Sequence, residues 1–327
     1  MERQGRRAFL FSLTLLLSAP GAMAAHKDAE HDPDQIGNRD VGKGVNFYSV
    51  EREIGLGKEM AQETERQAKF VDDDIVREYV NRLVQNLAHN SDAKVPFTVK
   101  VVDSDEVNAF ALPGGFMFVN TGLILRARNE AELAGVLAHE IAHVAARHGT
   151  RQATRGRLVN YSTLPLIFAG GWAGYAVRQA MGLAVPMGFL KFSRNMEAEA
   201  DLLGLQYMYK AGYDAVEFVN FFERIESMEK SKPGAVSRLF STHPMTGSRI
   251  RAAQKEIQED LKVQPQYVVD TSEFHDVRAR LMEIGNRLKL HEQPGKPVLH
   301  TRTPARTDQG STADRDAEPR PRLKRAS

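Results

Sequence analysis

The sequence predicts a mainly helical α+β fold in which a small β-sheet or hairpin lies beside one central helix. Apolar residues recur at helical spacing through much of the chain, which indicates helices packed by one face. The region Phe97–Asn120 instead contains an alternating, valine-rich run and a Pro-Gly-Gly turn, as a hairpin does. The central helix falls in Ala131–Thr150, where two histidines stand four residues apart.

Composition places the chain among ordinary globular proteins. It has 327 residues, of which 42% are hydrophobic and 26% charged. The formal net charge is +2, and no basic patch with interleaved aromatic residues occurs, so we expect no nucleic-acid partner. The chain contains no cysteine, which excludes disulfides, thiolate nucleophiles and thiolate metal ligands.

Residues 1–24 are typical of a signal peptide. Arginines precede an apolar run of about 11 residues, Ala8–Ser18, and Ala22-Met23-Ala24 is a small-x-small cleavage site. The run is shorter than the roughly 20 residues of a membrane span, although an uncleaved anchor is the alternative. We therefore expect export to a bacterial periplasm, and Arg6-Arg7 is compatible with the twin-arginine route.

A leader and two packing helices are expected next. Residues 25–48 are polar and rich in Asp, His and Gly, which indicates a mobile leader with solvated His26 and His31. Ser49–Gln67 and Asp72–His89 are then predicted to be helices that hold the central part of the fold. They open the main domain, which we place at residues 49–290.

The hairpin offers a candidate edge for an extended peptide. Phe97–Val102 is a predicted strand. Asn108–Gly115 followed by Phe116–Asn120 is predicted to form a strand, a tight turn and a further strand. A strand beside a metal helix can pair with a substrate backbone, although an ordinary hairpin explains the same pattern. The candidate edge residues are Asn108, Ala109, Phe110, Ala111, Pro113, Gly114 and Gly115.

The central helix carries the pattern H-E-x-x-H. His139 and His143 lie one turn apart on one face, so both rings can reach one metal ion. Glu140 points elsewhere around the helix and can act as a general base on a water. Asn129 is a predicted N-cap, and Gly149 is the residue expected to end the helix in a left-handed conformation. A buried structural histidine pair is the alternative.

An uncharged stretch follows the central helix. Ser162–Val177 and Ala180–Leu190 carry no charge, yet neither reaches the length of a membrane span. Two buried helices are one interpretation. The other is a mobile flap over the cleft, or a surface in residues 162–190 that makes peripheral contact with a membrane or an apolar substrate.

A second long helix is predicted over Phe192–Gly212. Glu197 and Asp201 share one face of it. Glu197 is the candidate third metal ligand, which would leave a fourth position for water, and Asp201 can accept the free ring N–H of a ligating histidine. Glu199 points to another side and is expected to be solvated. An acidic helix face without a metal is the alternative.

The C-terminal part is predicted to contain two more helices and a tail. The chain continues helically from Ile250 to about Leu261, and Phe274–Leu288 forms another helix. Tyr267–Asp270 is a candidate short strand. Residues 291–327 have almost no apolar content and end in a basic run, which indicates a disordered tail.

Taken together, four motifs resemble the zinc metallopeptidase family that contains the CAAX prenyl protease, HtpX and the periplasmic BepA-type proteases. They are NAFALPGG at Asn108–Gly115, HEIAH at His139–His143, EAEAD at Glu197–Asp201 and STHPMTGSRI at Ser241–Ile250. The resemblance covers roughly Ser49–Leu288 and implies a zincin-like fold.

The resemblance also implies roles for the motif residues. His139, His143 and Glu197 would bind Zn²⁺, one ion per chain, and Glu140 would be the catalytic base. His243 would face the active site, either capping the metal at rest or supporting the transition state. Arg249 matches the arginine that follows the His-Pro pair and could serve similarly.

Two features of the family are missing from the sequence. No 34-residue repeat follows the protease region, and the part after residue 24 has no clear membrane span. We therefore expect a free-standing exported zinc endopeptidase that degrades unfolded or misassembled envelope and outer-membrane proteins. The alternatives are a chaperone-like binding module with a structural zinc and a metal-dependent hydrolase of a small amide or ester.

Overall fold

The computed structural model describes residues 29–156, 192–231, 243, 244 and 246–291, and most of them are helical. The predictions for residues 1–24, 162–190 and 292–327, and that for His26, lie outside these ranges. The helices are α1 (Val50–Gln67), α2 (Asp74–His89), α3 (Thr121–Arg126), α4 (Glu130–Ala145), α5 (148–156), α6 (Arg194–Lys210), α7 (Val216–Ser231), α8 (Gly247–Glu259) and α9 (Ser272–His291).

The compact unit of the chain extends to Asn286. Of the second unit, Arg287–Ser327, the structure describes residues 287–291, which are the end of α9. No helix among the described residues combines the length and the apolar character that crossing a membrane requires.

A three-stranded sheet forms the β part of the fold. Its strands are β1 (Thr98–Val102), β2 (Ala109–Leu112) and β3 (Phe116–Asn120), in the order β1-β3-β2. β1 pairs with β3 in parallel, and β2 pairs with β3 antiparallel. The predicted hairpin is therefore present, and it makes β2 an edge strand.

The central helix is the core of the molecule. Every residue of α4 is buried, because α2, α6, α7 and β2 surround it. The Asn129 side chain accepts a hydrogen bond from the Glu132 N–H at 2.8 Å, which confirms the predicted N-cap. A helix that is enclosed on all sides holds its side chains in fixed directions, which a metal site requires.

The end of α4 differs from the prediction. Arg147, and not Gly149, takes the left-handed conformation, with φ at 55°. Its guanidinium compensates for this uncommon backbone state by donating to Glu53 Oε2 and to the Tyr48 carbonyl, both at 2.7 Å. The chain then turns into α5, whose first residue is His148.

The segment 29–49 is packed against the domain, which differs from the mobile leader expected for residues 25–48. Arg39 is buried and donates through Nε to Asp92 Oδ2 at 3.0 Å. The Tyr207 hydroxyl donates to the same carboxylate oxygen at 2.9 Å. His31, expected to be solvated, lies with its Nδ1 2.8 Å from Asp260 Oδ2 and 3.0 Å from Glu256 Oε2. The composition of the segment could not predict these contacts, because the partner residues lie far away in the sequence.

The other predicted helices within the described residues are present with shifted ends, whereas the short C-terminal strand is reduced to a single bridge. The predicted strand at Tyr267–Asp270 is an isolated bridge between Tyr213 and Val268. The helix predicted over Phe192–Gly212 begins at Arg194, where the Ser193 side chain caps it by accepting from the Met196 N–H, and it ends at Lys210.

Candidate metal centre

Three buried elements bring four potential ligands together. α4 presents His139 and His143, α6 presents Glu197, and His243 lies between α7 and α8. Their ligand atoms all lie within 4.8 Å of one another, and each side chain is at most 3% exposed. The three predicted ligands and His243 are therefore assembled in one place from residues as far as 104 positions apart.

The distances fit a tetrahedral metal ion. His139 Nε2 lies 3.0 Å from His143 Nε2 and 3.5 Å from Glu197 Oε2, and His143 Nε2 lies 3.7 Å from Glu197 Oε1. Two atoms bound to one tetrahedral zinc at about 2.0–2.1 Å stand about 3.3–3.4 Å apart. Two imidazole nitrogens and one carboxylate are also the donors of known catalytic zinc sites. The residues present therefore fit a zinc ion.

His243 lies at the fourth corner of this group. Its Nδ1 is 3.0 Å from Glu197 Oε1 and 3.3 Å from His139 Nε2. Its Nε2 is 3.4 Å from Glu140 Oε1. His243 is thus close enough both to the metal ligands and to the candidate base to serve either of the roles that the resemblance implies.

Glu140 lies beside the ligands and not among them. Its Oε2 accepts a hydrogen bond from the Ala111 N–H of β2 at 3.2 Å. Its Oε1 has no hydrogen-bond partner among the described residues, although it is buried. Burial raises the pKa of Glu140, because charging a carboxyl group away from water is unfavourable. A buried carboxylate with one unpartnered oxygen is suited to accept a proton.

Asp201 and Arg249 contact the proposed ligands His139 and Glu197. Asp201 Oδ1 lies 3.1 Å from His139 Nδ1, the ring nitrogen that faces away from the other ligands. Arg249 donates to both oxygens of Asp201 at 2.6 Å, and its Nη1 lies 3.0 Å from Glu197 Oε2 and 2.9 Å from the Pro244 carbonyl oxygen. The guanidinium predicted to stabilise an oxyanion is thus engaged with two carboxylates and the backbone beside His243.

The carboxylates make the site attractive to cations. Burial lowers the pKa of His139, but Asp201 and Glu197 outweigh it and raise that pKa to about 9. Burial alone would raise the pKa of Glu197, yet His139 and His243 hold it below its usual value. Burial lowers the pKa of His143 well below its usual value, aided by the neighbouring His139. Neutral His143 and ionised Glu197 are the protonation states in which these groups bind metals.

Sequence reasoning missed three side chains around His143. The Phe192 ring stacks on His143 with centroids 4.1 Å apart. His148 Nδ1 lies 2.8 Å from His143 Nδ1, and Glu199, which was expected to be solvated, lies 3.1 Å from His148 Nε2. The spacing of His148, five residues after His143, was the available signal.

The predicted peptide edge borders the centre. β2 lies between β3 and Glu140, the candidate base, to which the Ala111 N–H donates. Asn108 is buried, and its Oδ1 has no hydrogen-bond partner within the described part of the chain. The turn that follows is fixed by Gly114 and Gly115, whose φ angles are 78° and 90°.

A buried pair of histidines on one helix, a glutamate on another and an adjacent buried carboxylate are the side chains expected of a metallopeptidase centre. The chain matches the model of peptidase family M48 over residues 74–257, more than half of its length, and therefore belongs to that family. The family membership implies a metal, and it confirms the resemblance and the mainly helical zincin-like fold drawn from the motifs.

Curated relatives carry protease names. A protein of Vibrio cholerae named as a candidate beta-barrel assembly-enhancing protease is 31% identical over 83% of this chain and 56% of its own. The beta-barrel assembly-enhancing protease of Escherichia coli is 27% identical over 73% and 50%. The mitochondrial metalloendopeptidase OMA1 of Schizosaccharomyces pombe is 32% identical over 55% and 53%. The chain spans about half the length of these relatives.

Proposed function

We propose that the chain is a zinc-dependent metalloendopeptidase that cleaves unfolded or misassembled envelope proteins. The observation that carries this proposal is the convergence of His139, His143 and Glu197 at the distances of a tetrahedral zinc site, with the Glu140 carboxylate beside it. The protease names of the relatives support the reaction class, and the name beta-barrel assembly-enhancing protease supports an envelope substrate.

In this mechanism the side chains hold the metal and move the proton. His139, His143 and Glu197 would bind one Zn²⁺, which supplies a Lewis acid for the scissile carbonyl and for the attacking water. Glu140 takes the proton from that water through its unpartnered Oε1 and later gives it to the leaving amine. Asp201 keeps His139 in the tautomer whose Nε2 faces the metal.

The substrate would bind along β2. The edge residues Asn108–Gly115 lie next to Glu140, so a peptide extended along this strand would place a carbonyl near the base. The buried, unpartnered Asn108 Oδ1 is a hydrogen-bond acceptor that a substrate N–H can use. Because this recognition uses main-chain groups, it suits substrates of varied sequence in an extended state.

His243 and Arg249 are assigned further roles. His243 at the fourth corner would cap the resting site, and support of the transition-state oxyanion is the alternative role. For Arg249 the contacts favour a positioning role, since its donors hold Asp201, Glu197 and the Pro244 carbonyl.

The location and limits of the enzyme remain part of the proposal. The signal-like residues 1–24 support export to the periplasm. The domain would comprise residues 49–290, followed by the tail 291–327. A chaperone-like module with a structural zinc is less favoured, because such a module has no need of a free carboxylate like Glu140.

Two substitutions test the proposal. Glu140→Gln should keep one zinc per chain and lower cleavage of casein by about 10²–10⁴-fold, because it removes the base but no ligand. Glu197→Ala should lose zinc. Glu283→Gln, on the exposed face of α9, is the matched control and should behave like the wild type. Equal cleavage by Glu140→Gln and wild type would exclude the mechanism.

A further inference from the structure

A second line of polar side chains lies behind His143, on the side opposite to the ligand cluster. His143 Nδ1 lies 2.8 Å from His148 Nδ1. The other nitrogen of the second ring, His148 Nε2, lies 3.1 Å from Glu199 Oε2. His148 is fully buried, so it exchanges no hydrogen bond with bulk water. The three side chains form one continuous path from the end of α4 to α6.

Only one pattern of protons satisfies this path when His143 binds a metal. The Nε2 atom of His143 faces His139 and Glu197, so as a ligand it carries no proton. The proton of neutral His143 then lies on Nδ1 and is donated to His148 Nδ1. His148 consequently holds its own proton on Nε2 and donates it to the Glu199 carboxylate. Every ring nitrogen has one role, and no two protons face each other.

The far end of the path is fixed by two other donors. Glu199 Oε1 accepts from the Gly42 N–H at 3.1 Å, and Arg151 Nη1 donates to Glu199 Oε2 at 3.2 Å. Arg151 is itself held by the carbonyl oxygens of Ala146 and Lys43. The acceptor therefore has a defined position as well as a negative charge.

We propose that His148 and Glu199 are positioning residues that hold His143 in the tautomer and orientation of a metal ligand. They do for the second histidine what Asp201 does for the first. Such outer partners raise the basicity of the ligand and typically contribute 10–100-fold to metal affinity. The inference rests on the proposed function in one respect, the assignment of His143 as a ligand.

Zinc affinity of the full chain, measured by competition with a chromophoric chelator, tests the inference. His148→Phe keeps the ring volume and removes both nitrogens, so affinity should fall about 10–100-fold. His148→Asn keeps an acceptor near His143 Nδ1 and should recover part of the loss. Glu199→Gln can donate to His148 and reverse its tautomer, so it should weaken zinc binding as well.

A matched control separates positioning from general stability. Thr154 lies buried on α5, and its hydroxyl accepts from the Phe47 N–H at 3.0 Å, away from the path. Thr154→Val should lower the melting temperature and leave zinc affinity within about twofold. Imidazole ¹⁵N spectra of the zinc-loaded wild type should show the proton of His143 on Nδ1 and that of His148 on Nε2, which a purely structural role does not require.

The results of these experiments show separately whether the positioning role is wrong and whether the proposed function is wrong. If His148→Phe and Glu199→Gln bind zinc as the wild type does while Glu197→Ala does not, the positioning role is wrong and the metal site stands. If Glu197→Ala also binds like the wild type, the proposed function fails and the inference with it. A spectrum of the zinc-loaded wild type with the His148 proton on Nδ1 would overturn the inference directly.

Discussion

His243 is the fourth member of the cluster formed by the three proposed ligands, His139, His143 and Glu197. Its distances to Glu197 and His139, 3.0 and 3.3 Å, are as short as those among the proposed ligands themselves. If these side chains bind a metal as proposed, an imidazole at that corner would compete with water and substrate for it, and the enzyme would rest in a latent state.

Removal of this side chain should open the site. We expect His243→Ala to lose zinc to 1,10-phenanthroline about tenfold faster than the wild type and to cleave an unfolded substrate at least as fast. The exposed His275→Ala, with its ring paired to Asp270 on the surface, is the control and should leave both rates unchanged. Slower cleavage with unchanged zinc loss would instead assign His243 to the transition state.

Residue roles were predictable from the sequence where the partners are close in the chain. The spacing of His139, Glu140 and His143 sets their geometry, because one helix carries all three. Glu199 and His31 were expected to be solvated, but their partners lie 51 and more than 220 residues away, and no local pattern reports such contacts. The orientation of Arg249 was equally hidden, since it depends on how α8 packs on α6.

At the level of elements, capping chemistry made the helix starts predictable. Ser49, Asp73, Asn129 and Ser193 each accept from the N–H three residues later. Helix ends were less predictable, as Arg147 shows, because a long-range ion pair with Glu53 stabilises a conformation that local preference assigns to glycine.

The contact between α1 and the hairpin turn gives a prediction at this scale. A Cβ added at Gly57 would lie 1.7 Å from the Pro113 carbonyl oxygen, whereas one at Gly55 on the same helix meets nothing within 4 Å. Gly57→Ala should therefore lower the free energy of unfolding by about 1–3 kcal/mol and weaken substrate cleavage, because the turn beside β2 must move.

Gly55→Ala is the matched control for that change. It should leave cleavage intact and raise the free energy of unfolding by up to about 1 kcal/mol, since alanine favours a helix over glycine. Denaturant titration of both variants measures the difference. Equal free energies of unfolding for the two variants would show that Gly57 of α1 does not pack closely against the Pro113 carbonyl.

On the scale of the whole molecule, the N-terminal segment and α8 share a cluster of titrating groups. Burial raises the pKa of Glu256 to about 7, and the adjacent Asp260 raises it further while Gln206 lowers it. Burial lowers the pKa of His31, but Asp260 and Glu256 outweigh it and raise that pKa. Both groups bind protons more tightly in the folded chain than in the unfolded chain. The contribution of Glu256 is complete below pH 4.5 and is lost as the pH rises through about 7, whereas that of His31 is complete below pH 6.5 and is lost as the pH rises through its raised pKa.

The free energy of unfolding should therefore fall between pH 5 and pH 8 by more in the wild type than in Glu256→Gln. We expect a difference of about 1–3 kcal/mol from a shift of this size. Urea titrations at the two pH values measure it, and Glu259→Gln, exposed on the same helix, should keep the wild-type dependence. If Glu256→Gln keeps the wild-type pH dependence of the free energy of unfolding, that dependence arises from groups other than Glu256.

The hydrogen bond from the Gly42 N–H to Glu199 connects that same N-terminal segment to the metal centre. Glu197 and Glu199 are two residues apart on α6, one facing the ligand cluster and the other facing the segment. Thermodynamic linkage is reciprocal, so if a docked segment favours cation binding, a bound cation must favour docking by an equal factor. Binding of a metal ion at the candidate centre would then slow amide hydrogen exchange at Gly42, so exchange at this single backbone position would report whether the metal is bound.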